Sequence, residues 1–453
     1  MIQGKFRFTS ALTSSGWQKD VAVVVDQNGM IENIETDAKD GTPIRGIAIP
    51  AAPNVHSHAH QRLMVGLAER AGPGADSFWT WREAMYGFAL KLSPDDLEAV
   101  AAQAYVEMLK AGFSCVGEFQ YLHHQPDGSP YDEPAEMSLR CISAAEQAGI
   151  AITMLPTLYN YSGFGGQAST VGQRRFVNGA ERFLEIYGTL KAVCKASPLR
   201  RLGISPHSLR AVTPDLLKTV LNGITDDARV HIHVAEQTKE VDDCVAWSGK
   251  RPVEFLLDQF DVSSRWCAIH ATHMTGNETQ RLAKSGVIAG LCPTTEANLG
   301  DGIFQANSFK KQGGAVAIGS DSQITISPAE DLRMLEYSQR LRDRTRNALA
   351  SGAGASTGRS LLDAILKGGA ACLDQPMGVI AVGKRCDITV LADGHPAMIG
   401  REGDAALDTW IFSAGNAAVK DVIVGGSHLV KDRRHIDEDR IQEKFTETVR
   451  RLS

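Results

Sequence analysis

No stretch of this 453-residue chain has the roughly 18–20 consecutive apolar residues that span a bilayer. The opening segment, MIQGKFRFTSALTSSGW, lacks the apolar core of a secretory signal. The eight cysteines (Cys115, Cys141, Cys194, Cys244, Cys267, Cys292, Cys372 and Cys386) lie far apart and form no C-x-x-C pair. That excludes the usual signature of a disulfide scaffold or a zinc knuckle and predicts reduced thiols. Basic residues form no stripe: 47 Lys and Arg stand against 53 Asp and Glu, interspersed along the chain, for a net charge of −6. Neither a nucleic-acid partner nor a membrane is therefore expected. What remains is a cytoplasmic globular protein, long enough for one large domain and a smaller one.

Residues 1–45 read as short strands, with β-branched runs on either side of Asn28-Gly29 predicting a hairpin. From 46 onward, apolar runs alternate with helical stretches. Candidate strands are GIAIPAAPNVH (46–56), FSCVGEF (113–119), AITMLPTL (151–158), LGISPHS (202–208), RVHIHVAE (229–236), WCAIHATH (266–273), VIAGLCP (287–293) and AVAIGSDS (315–322). Regular alternation of strand and helix predicts a parallel sheet, and eight such units suit a closed α/β barrel of the (β/α)₈ TIM type over 46–376. The long segment 60–112, with Trp79, Trp81 and the Gly/Pro-rich RAGPGADS, is expected to cover the barrel mouth. Strand-like sequence returns over 377–435 and is expected to join residues 1–45 in a small β-sandwich. A helix over 436–453 places Ile441, Phe445, Val449 and Leu452 on one face.

Most of the thirteen histidines fall between 56 and 273, many at the ends of predicted strands, where barrel active sites form. His56 and His58 end the first strand. Residues i and i+2 share a face, so the pair can close on one ion from one side. The fifth strand offers His231, His233 and Glu236. His233, nearer the mouth, is the expected ligand, and His231 is expected one layer deeper as a hydrogen-bonded core residue. The sixth strand ends in His270 and the eighth carries Asp321. Alone, Asp321 would read as a helix cap and Glu236 as a carboxylate at a helix N-terminus. Together, three histidines and one aspartate on strands one, five and eight supply N and O ligands for one zinc-class ion with a place left for water. Iron or manganese also suits such a donor set.

With these residues in view, the chain resembles the amidohydrolase superfamily in its single-metal branch, over nearly its whole length, including the terminal GVIAVGKRCDITVL. The resemblance implies His56, His58, His233 and Asp321 as metal ligands and Glu236 and His270 as catalytic groups. No lysine ends the fourth strand, where two-metal members carry a bridging lysine, which favours one ion. Within the superfamily, the segments NVHSHAHQRLMVGLAER, SFWTWREAMY, GEFQYLHH, PHSLRAV, HIHVAEQTKEV and CPTTEANLGDGIF resemble formimidoylglutamate deiminases. That resemblance implies metal-dependent conversion of N-formimino-L-glutamate to N-formyl-L-glutamate and ammonia, in histidine degradation, by a homodimer. His60 and Gln120 depart from the pattern of that group, which usually has an aromatic residue and a histidine there.

The substrate chemistry fits. Two carboxylates call for cationic forks, and Arg82 and Arg210 are candidates. Gln61 and Tyr121 offer further hydrogen bonds, and the resemblance implies a role for His207 as well. Asp321 is expected as both ligand and base, His270 as the residue that orients the nucleophile and stabilises charge, and Glu236 as the proton donor to the leaving nitrogen. His123, His124 and His273 read as structural, and Glu118 as a buried hydrogen-bonding partner. Two rival readings stand beside this one. An aromatic amine deaminase would stack guanine, cytosine or an adenosine derivative on Phe78, Trp79, Trp81 and Tyr86. A non-catalytic barrel would be expected to have lost ligands, all of which are present here.

Overall fold

The computed structural model describes residues 4–69 and 78–452. The runs around Asn28-Gly29 form a hairpin: β2 (Gly16–Val25) pairs antiparallel with β3 (Ile31–Glu35). On its other side β2 pairs with β1 (Gly4–Thr13), and β4 (Thr42–Pro50) lies parallel to β1.

All eight candidate barrel strands are present. They are β5 (Ala52–Ser57), β6 (Phe113–Gln120), β7 (Ala151–Leu158), β8 (Arg200–Pro206), β9 (Arg229–Val234), β10 (Trp266–His270), β11 (Ile288–Leu291) and β12 (Ala315–Ile318). They pair in parallel and in chain order. The ring closes where Asp321 N–H donates to the His56 carbonyl (3.0 Å) and His58 N–H donates to the Asp321 carbonyl (3.0 Å). Two residues expected to share an ion therefore also join the first strand to the last.

The first barrel strand begins at Ala52 rather than at 46. Residues 46–50 complete β4, and the backbone partner changes at that point: Ala51 N–H donates to Asp387 O, and Ala52 N–H to Gly112 O. The expected cover over 60–112 is also shorter than anticipated. The helix Pro94–Ala111 belongs to the outer layer of the barrel. Ser93 and Asp96 form its capping box, Pro94 opens it, and Gly112 ends it at φ 100°, a left-handed conformation that suits glycine. It buries Leu97, Val100, Ala101, Tyr105 and Met108 against the core, and each large side chain so buried contributes about 1.5–3 kcal/mol. At the mouth remain the turn Ala59–Met64 and the helix Phe78–Ala89. The Gly/Pro-rich stretch 70–77 lies outside the described residues.

After the barrel, β13 (Ile388–Leu391), β14 (Val419–Val424), β15 (Ser427–Lys431) and β16 (Arg434–His435) extend the first four strands into one sheet. Its order is β16-β15-β14-β13-β4-β1-β2-β3. This sheet, built from both ends of the chain as expected, has its own core of Phe6, Phe8, Val21, Val23, Ile44 and Ile388. The β2–β3 hairpin is tied to the segment entering β13 through Ile31 N–H to Lys384 O (2.7 Å) and Cys386 N–H to Gly29 O (2.9 Å). The helix Glu438–Leu452 buries Ile441 and is joined to the helix Pro94–Ala111 by the Lys110–Glu438 and Arg451–Asp96 ion pairs. No helix among the described residues is long and apolar enough to cross a membrane.

Candidate metal centre and substrate cleft

The strand ends bring His56, His58, His233 and Asp321 together at the C-terminal mouth of the barrel. His56 Nε2 lies 3.0 Å from His233 Nε2 and 3.6 Å from Asp321 Oδ1, and His58 Nε2 is also 3.6 Å from Asp321 Oδ1. Tetrahedral bonds of about 2.0–2.2 Å give ligand–ligand edges of roughly 3.3–3.6 Å, so this donor set fits a small divalent ion. The second ring nitrogens support the same orientation. His58 Nδ1 donates to Phe119 O (2.8 Å) and His233 Nδ1 to His207 O (2.9 Å), leaving each Nε2 lone pair directed inward. Burial pushes all three imidazoles below their usual range, His58 to about 3, and the neutral form is the one that binds metal. His231 faces the same way as His233 but one layer down, where Nε2 meets Cys372 O at 3.0 Å.

His270 and Glu236 flank this cluster. His270 Nε2 is 3.6 Å from Asp321 Oδ2 and 3.7 Å from Glu236 Oε1. Burial alone would lower the His270 imidazole, but the surrounding carboxylates of Glu236, Glu296 and Asp321 outweigh it and raise the ring to about 10. Burial pushes the Glu236 carboxyl up to about 7 and that of Asp321 up to about 6. His270 (φ 67°) and Asp321 (φ 48°) both hold left-handed backbone, a strained state that clusters at functional sites.

A narrow cleft opens above these groups. Gln61, Arg82, Tyr121, His207 and Arg210 all line it, as do Phe78, Trp81, Tyr86, Tyr159 and Phe176. Arg82 and Arg210 both lie near the Trp79 indole, their guanidinium carbons 4.5 Å and 5.7 Å from its ring centre. The Nε of each is buried with no hydrogen-bond partner among the described residues. Gln61 Nε2 donates to the Tyr121 hydroxyl (2.9 Å), and Gln61 Oε1 is likewise without a described partner.

Several expected structural residues sit behind the cleft. Glu118 accepts from Ser57 Oγ (2.6 Å) and Ala59 N–H (2.8 Å), gripping the backbone on both sides of His58. His60 packs its Nε2 on the Tyr121 hydroxyl (2.9 Å), and Gln120 takes Leu122 N–H on its Oε1 (3.0 Å). Neither of these two atypical residues lines the cleft. His123, His124 and His273 hydrogen-bond to backbone carbonyls of Thr157, Val177 and Asp301. The sequence reading missed Glu240, which accepts from Ala235 N–H and Glu236 N–H (3.0 Å each) and anchors the Glu236 backbone. It also missed Glu296, which takes Cys292 N–H (2.8 Å) and faces His270 Nδ1 (3.2 Å). The signal for Glu240 was its place in the first turn of the helix Thr238–Ser248, where a carboxylate meets free backbone N–H groups.

A closed parallel barrel with histidines and an aspartate converging at its mouth defines a metal-dependent hydrolase, and the sequence matches the Amidohydrolase family over residues 47–429. The chain belongs to that family, whose members here include hydrolases of C–N bonds. It is 50% identical over 444 residues to a formimidoylglutamate deiminase of Pseudomonas aeruginosa, covering 98% of each chain. Its structure is similar to the crystal structure of an amidohydrolase from Brucella melitensis, with TM-score 0.94 and 47% identity over 99% of this chain and 100% of that one. An adenosine deaminase from Xanthomonas campestris with bound zinc shares the fold at TM-score 0.80 and 21% identity, over 99% and 98% of the two chains.

Proposed function

We propose that this chain is an iminohydrolase that converts N-formimino-L-glutamate and water to N-formyl-L-glutamate and ammonia. The likeness to the Pseudomonas deiminase over almost the whole chain supports this. The observation that carries it is the pair of cleft arginines, Arg82 and Arg210, each with a buried, unpartnered Nε among the described residues. An anionic substrate answers that need, since planar guanidinium forks pair with carboxylates. A neutral purine could stack on Phe78, Trp81 and Tyr86 but offers no carboxylate to the buried Nε groups of the two arginines.

In this reading His56, His58, His233 and Asp321 hold one divalent ion, which we take to be zinc from its nitrogen and carboxylate donors. When bound, the ion supplies the Lewis acidity that makes water a competent nucleophile near neutral pH. The protein does the rest. Asp321 takes the proton of the attacking water. His270, within 4 Å of both Asp321 and Glu236, orients the nucleophile and stabilises the charge that develops at the formimino carbon. Glu236, whose raised carboxyl retains a proton near neutrality, gives it to the departing nitrogen so that ammonia leaves. Arg82 and Arg210 take the carboxylates, with Gln61, Tyr121 and His207 as further polar contacts. The same reading has the enzyme work in the cytoplasm as a homodimer, in histidine degradation.

The test is ammonia release by metal-loaded protein given N-formimino-L-glutamate, with N-formimino-glycine and guanine in parallel. Rapid release from the glutamate derivative alone supports the reading. Release from guanine alone would leave the metal centre standing and overturn the role given to the arginines.

A further inference from the structure

Gln173 is almost fully buried, in a short turn (Val171–Gln173) that presses on the mouth helix. Its neighbour Gly172 permits that contact, since a Cβ there would stand 3.0 Å from the Tyr86 ring. Thr170 N–H donates to Gln173 Oε1 (2.9 Å), and a backbone N–H can only donate, so the orientation of the amide is determined. The amide NH2 must therefore point the other way. There it meets two phenol oxygens, of Tyr159 at 2.7 Å and Tyr86 at 3.2 Å. Both hydrogens of that nitrogen are used, and both phenol oxygens act as acceptors.

This leaves the two hydroxyl hydrogens. At least one O–H then has no acceptor among the described residues. Burial raises Tyr159 above its ordinary range, so it keeps its hydrogen throughout the physiological range. Both rings line the same cleft as Arg82 and Arg210.

We propose that Gln173 is a positioning residue that turns the hydroxyls of Tyr86 and Tyr159 toward a substrate carboxylate, making the two phenols specificity elements beside Arg82 and Arg210. The assignment rests on the substrate reading above and extends it. The two guanidiniums supply charge, while the phenols supply donors fixed in direction. Because Tyr86 belongs to the mouth helix and Tyr159 follows β7, a carboxylate bound between them also ties the mouth helix to the barrel.

The test is calorimetric binding to metal-loaded protein of three ligands that do not turn over: N-formyl-L-glutamate, N-formylglycine and N-formyl-4-aminobutyrate. The last two each keep one of the two carboxylates. Tyr86→Phe and Tyr159→Phe remove one hydroxyl each, and Gln173→Glu keeps the shape while replacing the donor with an acceptor that captures the phenol hydrogens. Each variant is expected to bind N-formyl-L-glutamate roughly tenfold or more weakly, the effect of one hydrogen bond to a charged group. One of the two single-carboxylate ligands should share that loss and the other should not. Equal loss with all three ligands, or no loss with any, overturns the assignment, and the phenylalanine variants keep it testable if Gln173→Glu folds poorly. Wild-type protein that binds none of the three would overturn the substrate reading itself, an outcome distinct from normal wild-type binding with unchanged variants.

Discussion

Gly319, just after β12, sits directly against the strand that carries His56. A Cβ at this position would lie 2.7 Å from His56 Cβ, 2.7 Å from its N and 2.7 Å from its O. Ordinary carbon contacts are about 3.5–4.0 Å, so Gly319→Ala must part the two strands by roughly 1 Å. Two of the three atoms met are backbone, and no rotamer change relieves them. Nor can the segment withdraw freely, because Gly319 N–H donates to Leu291 O (2.8 Å) on the opposite side. Overpacking of this kind costs about 1–3 kcal/mol of stability. It also moves His56 Nε2 by more than the roughly 0.2 Å that metal–ligand distances tolerate. We expect Gly319→Ala to bind its ion about 10–100-fold more weakly, the scale of a disturbed ligand environment. Gly290→Ala is the control. Its Cβ meets side-chain ends, Ile269 Cδ1 at 2.7 Å and Cys267 Sγ at 2.8 Å, which can turn aside and are not expected ligands. Chelator competition should separate the two variants while both lower the melting temperature. Wild-type metal affinity in Gly319→Ala, or an equal loss in Gly290→Ala, refutes the reasoning.

Glu236→Gln should lower kcat by roughly 10²–10⁴ with metal content retained, the range for a positioned acid; normal turnover by this variant removes Glu236 from the proton path. His233→Ala should lose its metal in elemental analysis, whereas His231→Ala should keep it and melt at a lower temperature, because a buried ring and its hydrogen bond to Cys372 O are lost. In the terminal sheet, burial raises the Asp421 carboxyl, but hydrogen bonds from His428, Asp432 N–H and Lys420 outweigh it and hold the group below its ordinary 3.8. Its folded value is depressed, so its stabilisation is present above that pH and fades as pH falls through the folded value. Melting curves of Asp421→Asn and wild type should therefore differ most near neutrality and converge in acid; a constant gap down to strongly acidic pH would contradict this.

How much of this was legible in the sequence varies by element. The eight barrel strands stood out because parallel strands are buried on both faces and read as apolar runs, as in AITMLPTL, buried throughout in β7. His56 and His58 stood out for a related reason, since two residues apart on a strand means one face. The start of the barrel was hidden because the largely apolar run from Gly46 to Val55 continues in extended conformation from one sheet to the other; Pro50 and the exchange of partners at Ala51 and Ala52 mark the boundary. The helix Pro94–Ala111 was absorbed into the expected cover, although Ser93, Pro94 and Asp96 spell a helix start. The pairings of Glu296 with His270 and of Gln173 with Tyr159 and Tyr86 were beyond reach for a different reason. These partners stand 26, 14 and 87 residues apart, and no local period records such a meeting.

The central claim is that the site directs water to the formimino carbon and expels ammonia. Hydrolysis of N-formimino-L-glutamate in ¹⁸O-labelled water, with mass spectrometry of the products, measures it most directly. The account predicts N-formyl-L-glutamate carrying one labelled oxygen in its formyl group, with one ammonia released per molecule, and loss of both when the metal is stripped. Free glutamate with labelled formamide would show that the other C–N bond breaks, contradicting the role given to Glu236 and the orientation of substrate between the metal centre and the arginines.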